Sequence, residues 1–157
     1  MAQMTHIKTT LRRELDALLN GAPDLAGFAL RTDDNVCSLF HVVLTDDHDD
    51  DDDIVFGVYD WPDVLADRGF EETNFLLGEQ LDALDDDEAR DREAEVFGLF
   101  VEALADAKGR HSCLSDAFLE VSSTDPSDEM ELHQEQAIAR LNPEDVSLAW
   151  EAWTAQW

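Results

Sequence analysis

The densest run of potential ligands in this 157-residue chain is TDDHDDDDDIVF, residues 45–56, which sets seven aspartates and one histidine ahead of an apolar stretch. Hard divalent cations gather about six to eight oxygens around one point. The chemistry to test first is therefore a calcium or magnesium loop, with Asp47, His48, Asp49 and Asp51 as candidate ligands. A helix-loop-helix calcium loop also needs glycine at its sixth position and a bidentate glutamate at its twelfth. Counted from Asp46 those positions hold Asp51 and Gly57, and counted from Asp47 they hold Asp52 and Val58. No frame fits, so the run reads as a solvated, mobile loop over 45–53 that condenses counter-ions without a rigid cage. No metal and no cofactor is expected.

Nucleophilic chemistry has as little support. His111 stands two residues from Cys113, but neighbours in sequence seldom hold the geometry of a thiolate and its base. His41 lies inside VCSLFHVVL and reads as a core or edge histidine. The nucleophile elbow G-x-S-x-G, the zinc motif H-E-x-x-H, the dinucleotide fingerprint and the phosphate loop are all absent. Cys37 and Cys113 are too few and too far apart for a zinc cluster, and they read as small buried hydrophobes. A metal-dependent small hydrolase using carboxylates around His41, His48 or His111 is the rival to a protein without catalysis. Trp61, flanked by Asp60 and Asp63, and Trp157 at the last position are the aromatic candidates for contact with a partner.

The elements that must position these residues follow from periodicity. Ile7, Leu11, Leu15, Leu18 and Leu19 recur at helical spacing, and Asn20-Gly21 with Pro23 ends that helix. GFALRT (27–32) and VCSLFHVVL (36–44), separated by Asp33-Asp34-Asn35, read as a hairpin, and IVFGVY (54–59) as a third strand. On that reading the aspartates connect two strands. The middle of the chain is helical over 70–84 and 89–107, the second helix presenting Val96, Phe97, Phe100, Val101, Leu104 and Ala107 and capped by Asp85 with Glu88. FLEVSS (118–123) is a returning strand. Asn142 caps a last helix with Pro143 in its first turn, and that helix packs Trp150 and Trp153 on the sheet. The pattern predicts an α+β fold in one domain over 1–157, with a small, mostly antiparallel sheet and helices packed on one face.

Charge narrows the partners. Ten Lys plus Arg face 38 Asp plus Glu, for a net charge of -28. Nucleic acid and anionic membranes need neutralising bases that this chain lacks. A basic protein partner, bound cations or a high-salt environment would each relieve the self-repulsion. Residues 1–15 lack the apolar core of a signal peptide, which points to the cytoplasm.

Taken in order, FALRTDD after the opening helix, the Trp61-Pro62 corner, Phe75-Leu76, EALADAKG, FLEVSSTDPSDE and the closing RLNPEDV resemble a bacterial family, domain of unknown function 4303, over residues 7–153. The resemblance implies a small cytosolic α+β protein without assigned catalytic residues, and for some members a role as an immunity protein against polymorphic toxins. The Asp-rich run departs from it. Composition alone leaves open a salt-adapted protein whose acidity has no partner.

Overall fold

Residues 25–32 and 39–45 have the alternating apolar pattern of strands and pair through the hairpin at Asp33 to Ser38; with residues 118–123 they form one sheet. The computed structural model describes residues 2–45, 51–67 and 69–157, with the side chains of residues 2 and 3 left out. Strand β1 (Leu25–Thr32) lies in the middle, antiparallel to β2 (Leu39–Thr45) and parallel to β3 (Phe118–Ser123). The helices are α1 (Ala2–Leu19), α2 (Asp52–Val55), α3 (Glu71–Asp82), α4 (Asp86–Arg110), α5 (Asp128–Leu141) and α6 (Glu144–Thr154). This is the α+β architecture that the sequence predicts, with the antiparallel pair the longer of the two ladders.

The main helical layer covers one face. Ile7, Leu11, Leu15 and Leu19 of α1 are all buried, because a four-residue spacing returns each to the same side. Each such side chain contributes roughly 1.5–3 kcal/mol on leaving water. They meet Phe28 and Leu30 of β1, Leu119 and Val121 of β3, and the buried stripe Val96, Phe97, Phe100, Val101, Leu104 and Ala107 of α4. Asp85 caps α4, accepting from the Glu88 N–H at 2.8 Å.

The opposite face carries a smaller cover. Ala29 and Phe118 of the sheet pack with Phe56, Val58 and Trp61, and Trp150 and Trp153 of α6 close over them. Here the structure corrects the sequence reading. Residues 54–59 form no third strand: Asp51 to Val58 wind into α2 and then a 3₁₀ turn at Val58–Asp60. The local reason is Asp51, whose carboxylate accepts from the Asp53 N–H at 2.9 Å and starts the helix. Of the predicted 45–53 loop, Thr45 therefore ends β2 and residues 52–53 are helical, while residues 46–50 lie outside the described residues.

Asn142 is the second correction. It does not cap α6; its side chain turns to the outer edge of β3, accepting from Leu119 N at 2.9 Å and donating to Leu119 O at 2.8 Å.

Candidate functional site

A three-stranded sheet has two edges, and each exposes unpaired N–H and C=O groups that could template another chain. On the β3 side Asn142 takes both groups of Leu119, Gln134 of α5 accepts from Ser123 N at 2.7 Å, and α5 lies along the strand. That edge is capped at both ends and covered by α5.

The β2 edge is closed only at its ends. Asn74, from the first turns of α3, accepts from Leu39 N at 2.6 Å and donates to Leu39 O at 3.1 Å, a side-chain imitation of a neighbouring strand. Four residues on, Val43 N donates to Asp63 O at 3.0 Å in a single antiparallel bridge. Backbone groups along an antiparallel strand alternate sides, so His41, midway between these caps, also turns its N–H and C=O away from β1. Among the described residues nothing pairs with them. A groove of about 600 Å³ opens beside it, bounded by Phe40, Val42, Val64, Asp67, Phe70 and Asn74.

The His41 ring points inward, stacked on Phe28 and met edge-on by Phe70. Its Nε2 accepts from Leu65 N at 3.0 Å, which anchors the loop that forms the groove's outer wall. An Nε2 that accepts an N–H belongs to the neutral ring with its proton on Nδ1, and burial, which pushes the pKa down from the usual 6.5, acts in the same direction. An imidazole whose acceptor lone pair is already taken makes a poor general base.

Around the groove the surface is both apolar and acidic. Phe40 and Val64 are exposed, and Tyr59 is 71% exposed, its ring 4.0 Å from the guanidinium of the buried Arg31, the cross-strand neighbour of Phe40. Arg31 donates to Ser123 O at 3.4 Å, and its Nη1 has no hydrogen-bond partner among the described residues. Asp63 and Asp67 are exposed on the loop between the 3₁₀ turn and α3, and Asp60 is exposed at the end of the 3₁₀ turn itself. Glu120, beside Arg31 on β3, is pushed up by burial, a shift that the Ser122 hydroxyl and Arg31 partly oppose.

The candidates from sequence scatter. Asp63 falls on this face, through its bridge to Val43, and Asp60 is exposed in the 3₁₀ turn. Trp61 is buried over Gly27, donating from Nε1 to Ile54 O at 2.9 Å. Trp157 is exposed at the far end of α6, its ring 6.0 Å from that of Trp153. Asp51 is spent as a helix cap, and Asp47, His48 and Asp49 lie outside the described residues. Among the described residues no three His, Cys, Asp or Glu side chains converge as metal ligands. Nor do His111 and Cys113 pair. His111 Nε2 lies 2.7 Å from Asp16, while the Cys113 thiol is directed at Leu19 O. Cys37, pushed up to about 11 by burial and by its contact with Asp33, is a poor nucleophile at neutral pH.

Comparisons with protein-family models, with curated proteins and with solved structures found no match. Function must be argued from this chain alone. Sequence reasoning missed Asn74 and Asp67 as parts of the site, since nothing in a helical or turn pattern says which polar side chain will lie along a sheet edge. No helix among the described residues is long and apolar enough to cross a membrane.

Proposed function

We propose that the protein is a non-enzymatic binding module that engages a cationic protein through the acidic face around the free edge of β2. The family resemblance adds toxin neutralisation as the biological role, with the acidic face blocking a basic toxin. The observation that carries the reading is the grouping of exposed Phe40 and Val64 with Asp63 and Asp67 beside an edge that is incompletely paired among the described residues. Apolar anchors supply affinity there, and the carboxylates steer association and select against anionic partners.

The test is affinity capture with the full chain at low and high salt, alongside the variant Asp60→Lys/Asp63→Lys/Asp67→Lys and a control, Asp86→Lys/Asp87→Lys/Asp91→Lys, on α4. A basic protein held by the parent and the control but lost by the first variant supports the reading. The same capture by all three chains, or none by any, removes it.

A second reading has its own observation. Acidic residues fill the first turns of α2, α3, α4, α5 and α6, so the charge is spread over the molecule as well as gathered at one edge. That distribution fits adaptation to high salt, and it predicts stability rising steeply with potassium chloride.

A further inference from the structure

We propose that the cationic partner docks by strand addition: an extended segment bearing Lys or Arg enters the groove beside β2, and one of its residues exchanges two backbone hydrogen bonds with His41. This rests on the acidic-face reading and adds the mode of recognition to it.

The geometry is specific. The caps at Leu39 and Val43 are four residues apart, a window of about 13 Å at strand rise. His41 stands at its centre, with N–H and C=O both turned outward and without a partner among the described residues. An antiparallel neighbour satisfies such a residue with a reciprocal pair of bonds, which is how sheet edges capture peptides in general. The caps themselves show the edge accepting strand-like partners: Asn74 imitates one with its amide, and Asp63 supplies one residue of a real one.

Side chains of an added strand would alternate between the two sides of β2. One side offers Phe70 and the backbone of Gly69, the other Phe40 and Val42. Asp63 and Asp67 stand on the outer loop, and the acidic border continues past Gly69 to Glu14 and Glu72. Glu14 already accepts from Thr73 N, and Glu72 from Arg13. Asp63 and Asp67, whose carboxylates have no ion-pair partner among the described residues, favour ammonium or guanidinium groups on the incoming segment. An acidic or neutral segment would gain the backbone bonds without this charge complement.

The experiment titrates the full chain at low salt with the peptide acetyl-Lys-Val-Lys-Val-Lys-amide and with the same peptide methylated on a central backbone nitrogen, following backbone amide shifts by NMR. Strand addition predicts saturable binding, a shift at the His41 amide, and about 10-fold weaker binding of the methylated peptide, the worth of one backbone hydrogen bond. The variant Asp67→Lys should weaken both peptides. Equal affinity for the two peptides overturns strand addition and leaves the acidic-face reading standing. If neither peptide binds, the inference fails, and the capture experiment with the charge-reversal variants then decides the broader reading separately.

Discussion

Replacing Gly27 by alanine should be among the most damaging single-methyl changes in this protein. A Cβ built on Gly27 would lie 2.3 Å from Cη2 and 2.7 Å from Cζ2 of Trp61. Carbon atoms pack at about 3.5–4.0 Å, so the ring must retreat by more than 1 Å, about the gap between those figures. Its surroundings resist: Trp61 is buried, Nε1 is bonded to Ile54 O, and the ring meets Phe118 edge-on. Overpacking by itself costs about 1–3 kcal/mol. Full eviction would give up roughly 150–250 Å² of burial, about 4–6 kcal/mol. Gly27→Ala should therefore cost about 3–5 kcal/mol, between those limits. Urea unfolding followed by far-UV circular dichroism measures it. In a Trp61→Leu background the same change should cost less than about 0.5 kcal/mol or stabilise slightly, since alanine is the better strand residue. A loss below about 1 kcal/mol in the parent, or equal losses in both backgrounds, would refute the claim that Gly27 exists to seat the indole.

Three further outcomes follow from particular contacts. Arg92 is buried with no carboxylate partner among the described residues, donating to Gln80 Oε1, Asn35 O and Leu77 O; Arg92→Met should cost about 3 kcal/mol by taking this donor from Gln80 Oε1 and Asn35 O, measurable as a lower urea midpoint. His41, whose pKa burial lowers, binds protons more readily unfolded than folded. Its contribution is whole above the unfolded value of about 6.5 and is lost as pH falls below it, so His41→Gln should flatten the stability slope between about pH 7 and 5. An unchanged slope would rule His41 out as its source. Asn142→Ala should cost about 2–3 kcal/mol, because it strips Leu119 N and O of their partner at a buried edge; Asn74→Ala, at the more open edge, should cost less and should lengthen the window of backbone amides that exchange with solvent.

Elements with a long, regular apolar period were readable in the sequence. The α1 and α4 stripes are buried as the spacing predicts, and the two hairpin strands and β3 fall where β-branched and alternating residues place them. IVFGVY failed because a six-residue apolar run has no period that separates strand from turn, and the Asp51 cap, a local signal, won. Trp61 was misread for a related reason. Its flanking aspartates suggest exposure, but they stay in water while the indole alone turns inward over Gly27. The site was less readable than the fold, because an edge becomes a site only through long-range partners. Asn74 meets Leu39 across 35 residues and Asn142 meets Leu119 across 23.

The charge of -28 and the half-open edge bear on each other. Acids in the first turns of five helices lie where the helix dipole favours them, each gaining about 0.3–1 kcal/mol at low salt, so that part of the acidity has a local structural use. Asp60, Asp63 and Asp67 do not share it: among the described residues none lies in a helix of more than one turn. Their repulsion is offset by no dipole, and Asp63 and Asp67 border the stretch of sheet edge left unpaired among the described residues. Charge on an edge strand also deters pairing with a second copy, because two such edges would bring like charges together, whereas a basic strand meets the same backbone with its charge complemented. Salt separates the two contributions. Raising potassium chloride should stabilise the fold by screening the general repulsion while weakening capture of a basic partner at the edge. A chain whose capture strengthens with salt would owe its binding to the apolar anchors alone.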